Sequence, residues 1–357
     1  TTTTADRQPA AIDSTDGQYH YVGNLVLTLD ANGVVDPTSI DPVVSGAYAT
    51  TTDVVNTLWG ASDPFGADTK GAAVQDLTSA VTDIVTAKDG NTFGQTNVFL
   101  EGRREFVRTE ETNFGNLSAD ANLAEAKKYD DSVVISIKNG GGIRAQIGEI
   151  TNEGGITEEL PPQENLAAGK QTGEVSQLDI EGTLRFNNNL TLLTVTAEQL
   201  LGIIEHAVAA SGADSTPGQF AQVSGLRFSY DLDFNPGDRV RSLAVVAESG
   251  AVLDVIAQNG ELVGAGDRTF RLVTLGFLAD GGDAYPFPTD AAANRVDLDA
   301  RSEPTPGVAN FAPAGTEQDA LAEYLAAKYA ATPFKERDKD EAADKRIKNE
   351  ELRAHKI

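Results

Sequence analysis

The chain has 357 residues, with 54 acidic against 28 basic side chains, a formal charge of −26, no cysteine and no methionine. So acidic a surface repels nucleic-acid backbone and anionic lipid, and the Lys and Arg are too scattered for a basic stripe, so a nucleic-acid partner is not expected. Without cysteine there is neither a disulfide framework nor a thiolate metal site, while an apolar share of 40% supports the core of one large domain or about two.

No run approaches the roughly 18 apolar residues of a membrane-spanning helix, and no signal peptide is visible. Lacking an initiator methionine, the chain reads as a processed product or a piece of a longer one. Few lysines on an acidic surface suit an exported protein of marine or halophilic type, so an extracellular, periplasmic or cell-surface location is expected.

Residues 1–17 are polar and are expected to be flexible. Tyr19–Leu29 alternates as a strand does, and Asp30-Ala-Asn-Gly33 supplies a turn before Val34 and Val35, so residues 18–50 read as a strand pair. Asp30, Asn32 and Asp36 only loosely resemble a calcium loop, which would need a later bidentate Glu. Residues 51–95 read as a linker. Within it Val74, Leu77, Val81, Ile84 and Val85 recur at helical spacing and predict an amphipathic helix over 69–88. A second helical pattern follows Asn116 and runs to about Lys128.

The run Ser132–Lys138 is rich in Val and Ile and reads as a short buried strand. It feeds Asn139-Gly-Gly-Gly-Ile-Arg144. Consecutive glycines let backbone approach closely and tolerate positive φ, and an arginine after such a loop offers a rigid fork of donors to a carboxylate or phosphate. A tight turn with a surface arginine is the equal alternative at this point.

Further on, Leu190–Val195 reads as a buried strand. Thr196-Ala-Glu-Gln199 is a capping-box start for a helix to about Ala210, with Leu200, Ile203, Ile204 and Val208 inward. Strands are expected at Val223–Tyr230, Val240–Ala247, Val252–Ile256 and Thr269–Leu278, with Asn235-Pro-Gly-Asp238 as a turn. Thr316-Glu-Gln-Asp319 opens a last helix to about Tyr329, and residues 335–357 are so charged that a solvated helix or tail is expected. Helices and strands alternate irregularly, so the expected class is α/β with mixed, α+β-like sheets.

Several segments together resemble the C-terminal, substrate-binding domain of the 5′-nucleotidase family. They are Arg108 with Glu111-Thr-Asn-Phe-Gly-Asn116; Ile137 to Arg144; Leu190 to Val208 with Glu205-His206; Gly218 to Asp231; and Phe277-Leu-Ala-Asp-Gly-Gly-Asp-Ala-Tyr285. They occur in the family's order over residues 98–330, and the resemblance places that domain at 96–334. It also makes Tyr21–Asp30 look like the last strands of the family's metallophosphoesterase domain.

The resemblance implies that this domain holds a nucleotide or nucleoside. Phe220 and Tyr285 would sandwich the base, Asn139 would bond a ribose hydroxyl, and Gly141 and Gly142 would form the loop. Arg108 and Arg144 would meet the phosphate. Asp290 is a weaker match to the family's ribose-binding acid. Asp283 is expected to fix the loop presenting Tyr285, and His206 to be structural. Ala284 replaces the family's usual Gly, and Gln222 stands where some members carry Asn near the base, so base preference does not transfer.

No catalytic residue and no metal ligand is expected in this chain. The two divalent metal ions that the family uses belong to an N-terminal catalytic domain, whose motifs are not among its three histidines, His20, His206 and His355. The implied function is the substrate-recognition part of a nucleotide phosphohydrolase, with that catalytic domain as its partner. The alternatives are a noncatalytic nucleotide-binding module and a surface or assembly protein, with self-association left open. Cyclic nucleotides, nucleotide sugars and other phosphate esters are also within the family's breadth.

Overall fold

The computed structural model describes residues 2–3, 9–10, 20–60, 63, 65–302, 304 and 307–352. The chain divides into two compact units, Thr1–Ile84 and Val85–Ile357. The expected flexible stretch 1–17 lies outside the described residues, apart from a minimal pair of β1 (Thr2–Thr3) with β2 (Pro9–Ala10).

The first unit is built from short hairpins. β3 (Tyr21–Asn24) pairs with β6 (Gly46–Ala49), and β4 (Thr28–Leu29) with β5 (Val35–Asp36), all antiparallel. The Asp30 carboxylate accepts N–H groups from Asn32 and Val34. That bonding makes the suspected calcium loop a local Asx turn. Helix α1 (Thr52–Trp59) ends on Gly60 in the left-handed region, the usual place for glycine after a helix. Helix α2 (Lys70–Gly90) begins in this unit and ends in the second. It lies where it was expected, but its apolar residues Val74, Leu77, Val81 and Ile84 are all exposed.

In the second unit, β7 (Thr92–Gln95) pairs with β11 (Glu174–Ser176) beside the short helix α3 (Arg104–Val107) and helix α4 (Asn113–Tyr129). Strand β8 (Val133–Asn139) is the run that the sequence marked. After it come the exposed hairpin β9 (Glu149–Glu153)–β10 (Ile156–Leu160), helix α5 (Gln177–Thr183), strand β12 (Leu190–Thr196) and helix α6 (Ala197–Val208). The capping box at Thr196 forms as expected: its hydroxyl accepts from Gln199 N and the Gln199 side chain from Thr196 N. Leu200, Ile203, Ile204 and Val208 are wholly buried. Each such burial is worth about 1.5–3 kcal/mol.

The strand expected at 223–230 is two strands, β13 (Ala221–Ser224) and β14 (Leu226–Tyr230). Gly225 separates them at φ +71°, and a Cβ there would lie 1.9 Å from the Val134 carbonyl oxygen. The chain crosses from one sheet to the other at that residue. The remaining strands are β15 (Val240–Val246), β16 (Val252–Gln258), β17 (Glu261–Leu262), β18 (Thr269–Leu275), β19 (Val296–Asp297) and β20 (Ile347–Asn349). One five-stranded sheet has the order β13-β8-β18-β12-β19 and the other β17-β16-β15-β14-β20. In the first, β8 runs parallel to β18 and antiparallel to β13. Mixed pairing with helices packed on the sheets is the α/β architecture that was expected.

Strand β18 stops at Leu275, three residues short of the expected end, and helix α7 (Gly276–Ala279) follows. Helix α8 (Glu317–Tyr329) starts where expected, but by another device. The Thr316 hydroxyl donates to Pro313 O, while the Asp319 carboxylate accepts from Gly315 N. The largest departure is at the C-terminus. Residues 335–352 are not a solvated tail: Asp344 is 4% exposed, and β20 pairs in parallel with β14.

Candidate functional site

Strand β8 runs straight into a 3-10 turn at Gly140–Gly142. None of these three glycines is at positive φ. Close approach is therefore what requires them. A Cβ on Gly140 would sit 2.0 Å from the Val107 carbonyl oxygen, and one on Gly141 2.8 Å from that of Gly218. The loop is zipped to the neighbouring chain, since Gly140 N donates to Phe220 O at 2.6 Å and Gly141 N to Gly218 O at 2.9 Å.

Three guanidinium groups surround this loop. Arg108 caps the C-terminus of α3 and is 8% exposed. Its Nη1 reaches Thr216 O at 3.5 Å, and its Nε has no hydrogen-bond partner among the described residues. Burial first, and then the positive charges of Arg104 and Arg144, push its pKa below the ordinary arginine value, opposed by the Asp283 carboxylate. Arg104 Nε donates to Thr216 Oγ1 at 3.0 Å. Arg144 is exposed, donates from Nη1 to Gly141 O at 3.3 Å, and lies over the Phe186 ring at 5.7 Å. Three cations against one nearby carboxylate make a place where an anion relieves repulsion.

The opposite wall is a braced turn. Asn139 Nδ2 donates to Asp283 Oδ2 at 2.6 Å, and the Asp283 carbonyl accepts from His206 Nε2 at 2.8 Å. Because a carbonyl can only accept, Nε2 carries the proton. Asp283 and Ala284 both lie in the left-handed region, at φ 49° and 59°. For a residue with a Cβ this conformation costs about 1–2 kcal/mol. Replacing Ala284 by Gly is expected to stabilise the unit by about 1 kcal/mol in urea unfolding; an unchanged or lower midpoint contradicts that.

The expected sandwich does not form. Phe220 is wholly buried in the main core, edge-on to Tyr230 with centroids 6.3 Å apart. Tyr285 is 3% exposed, stacks on Phe287, and donates its hydroxyl to Gln219 O at 2.5 Å. Neither ring presents a face to a base. Asp290 is engaged as well, its carboxylate accepting from Ala292 N and Ala293 N as the cap of a short turn. Gln222 is buried and holds Val107 O and Glu110 O through its amide, away from any base. The structure thus brings together Arg108, Asn139, Gly141, Gly142 and Arg144, and sets Phe220, Tyr285 and Asp290 to other work.

Sequence reading missed two residues, Arg104 and Phe186. Arg104 lies one helical turn before Arg108 in a charged run. Phe186, 62% exposed, is a lone aromatic in a polar Arg-Phe-Asn-Asn-Asn stretch, and that context was the available signal.

Among the described residues, no group fits a dinuclear metal site with imidazole ligands. His20 is exposed, His206 is bound to Asp283, and His355 lies outside the described residues. Among the described residues, the one close trio of metal-ligand types is Asp231, Asp233 and Glu351, on the surface. A cavity of about 650 Å³ is not lined by Arg104, Arg108 or Arg144; its lining includes Asn116, Asp120, Tyr324, Lys328 and Arg346.

The sequence profile described as 5′-nucleotidase, C-terminal domain, matches residues 92–290. The trifunctional nucleotide phosphoesterase protein YfkN of Bacillus subtilis (strain 168) is 32% identical over 199 residues, 56% of this chain and 11% of that protein. The snake venom 5′-nucleotidase of Crotalus adamanteus is 33% identical over 197 residues, 54% of this chain and 29% of its own length. The 5′-nucleotidase of Homo sapiens is 32% identical over 204 residues, covering 55% and 30%. These three relatives are therefore matched over less than a third of their own length. The crystal structure of a 5′-nucleotidase precursor from Thermus thermophilus shares the fold at a TM-score of 0.56 and 23% identity, covering 92% of this chain and 50% of that one.

Proposed function

The chain belongs to the 5′-nucleotidase family through its C-terminal domain, and from that premise we propose that it is the substrate-recognition part of a nucleotide phosphohydrolase. The gathering of Arg104, Arg108 and Arg144 around the Gly140–Gly142 loop carries this reading, because a phosphate relieves their mutual repulsion. Arg108 and Arg144 meet the phosphate, and the base stacks on Phe186 instead of Phe220. The guanidinium over Phe186 joins the two subsites.

Hydrolysis itself belongs to a metallophosphoesterase partner domain carrying two divalent ions, with the hairpins of residues 20–49 as its last strands. A noncatalytic nucleotide-binding protein would use the same pocket and differ only in that partner. The acidic surface accords with an exported location. Among the described residues no helix is long and apolar enough to cross a membrane.

Titration tests the assignment of side chains. Phe186→Ala is expected to weaken AMP binding by about 1–3 kcal/mol with little loss of stability. Phe220→Ala is expected to cost about 3–5 kcal/mol of stability instead, through a core cavity. Equal AMP affinity in wild type and Phe186→Ala sinks the stacking assignment.

A further inference from the structure

The segment after Phe334 is as charged as a tail, yet it is tied to the turn that carries Arg108. Asp338 Oδ1 accepts from Asn113 N at 2.6 Å and Asp344 Oδ2 from Glu111 N at 3.2 Å, both at the start of α4. In return, Glu111 Oε2 accepts the backbone N–H groups of Lys345 and Ile347, at 2.9 and 3.0 Å, and that of Arg346. Arg346 forms a two-pronged pair with Asp120 at 2.7 and 2.9 Å. Gln222 grips the carbonyls of the same turn, Val107 O and Glu110 O, from the other side. Residues 107–113 are thus clamped through their carbonyls by the sheet and through their amides by the segment. The family match ends at residue 290, so the segment that closes this clamp lies beyond it.

We propose that residues 335–352 form a charge-gated brace that positions the Arg108 turn, closed when its carboxylates are protonated or screened and loosened when they are fully charged. Arg108 bears on ligand binding only if the nucleotide reading above holds, and the proposal rests on that reading there. The geometry supplies the gate. Asp338 and Asp344 face Glu101, Glu110 and Glu111 from the α3–α4 side and Glu159 from β10, while Asp340 and Glu341 of the segment itself add to the crowding. Of the nearby positive groups, Arg103 is engaged with Glu101 and Glu159 and Arg346 with Asp120, while Arg337, Lys339 and Lys345 lie on the segment itself beside the two aspartates.

Burial first, with Glu111 and Glu110 next, raises the Asp344 pKa to about 9. Burial likewise lifts Glu110 to about 8, helped by Glu341 and Asp338, and Asp338 to about 7 against the pull of the Asn113 N–H. A carboxyl whose pKa is higher when docked favours docking most below its undocked value. The advantage fades as pH rises through the docked one. The brace is therefore tightest below about pH 4 and loosens progressively as pH rises toward about 9.

Hydrogen exchange on the full chain tests this without any ligand. In wild type, protection of the Glu111, Asn113 and 345–347 amides, corrected for intrinsic rates, is expected to fall together by about tenfold from pH 6.5 to 9. Asp344→Asn keeps an oxygen for the Glu111 N–H and removes one of the three charges, so its protection is expected to fall clearly less than in wild type over the same range. AMP affinity is expected to fall several-fold over the same range in wild type and less in the variant. Identical pH profiles in the two proteins, or loss of protection at 345–347 with none at 111–113, overturn the brace. If AMP fails to bind at any pH while the coupled exchange persists, the brace stands and the nucleotide reading fails.

Discussion

Gly140→Ala is expected to destabilise the second unit by roughly 3 kcal/mol or more. Its Cβ would meet Val107 O at 2.0 Å and Val107 C at 2.9 Å. Both are backbone atoms, so no side-chain rotation relieves the contact. The loop cannot retreat without lengthening the Gly140 N–H bond to Phe220 O, now 2.6 Å. The Val107 carbonyl also belongs to the turn that ends in Arg108, so anion binding is expected to fail in any folded remainder. Gly182→Ala is the control, because that glycine lies in α5 with nothing within 4 Å of a new Cβ. It is expected to be neutral or to stabilise by up to about 1 kcal/mol. Urea unfolding of the two variants checks the contrast, and equal midpoints refute it.

The second large effect concerns the residue just before the loop. Lys138 and Glu317 pair at 3.1 Å with both side chains fully buried. Glu317 also accepts from Asn188 N at 3.0 Å and Asn188 Nδ2 at 2.8 Å. Removing either partner leaves a buried charge uncompensated, at a cost of about 3–5 kcal/mol. Lys138→Met and Glu317→Met are each expected to lose that much. The double substitution is expected to recover most of it, short of the Asn188 bonds, because two apolar chains of similar volume carry no unpaired charge. A double variant as unstable as the sum of the singles contradicts this.

The elements were legible wherever local chemistry and burial agree. Val133–Lys138 is rich in Val and Ile and bounds a glycine run, Thr196 and Gln199 cap each other, and Asn235–Asp238 turns with Asp238 N bonded to Asn235 O. The glycine loop was found too, although for a mixed reason: close approach, not positive φ, is what it needs. Reading failed where one residue type serves two environments. Phe220 is flanked by family-like residues, yet its ring is wholly buried in the core just before β13, whereas Phe186 sits among asparagines and is exposed. The 335–352 segment misled because charge usually means solvent. Here the carboxylates satisfy backbone N–H groups at a helix start, and only tertiary structure shows that pairing. The apolar stripe of α2 misled the other way, since periodicity names a face without saying what covers it.

Backbone amide shifts, recorded as AMP is added to the full chain, locate the binding site most directly. Perturbations are expected to centre on Gly140–Arg144, with Arg108 and Phe186 among the strongest, and to vanish in Arg144→Ala at the same AMP concentration. Perturbations confined to the cavity lined by Asn116, Tyr324, Lys328 and Arg346, or none at all, would contradict a nucleotide site at the glycine loop.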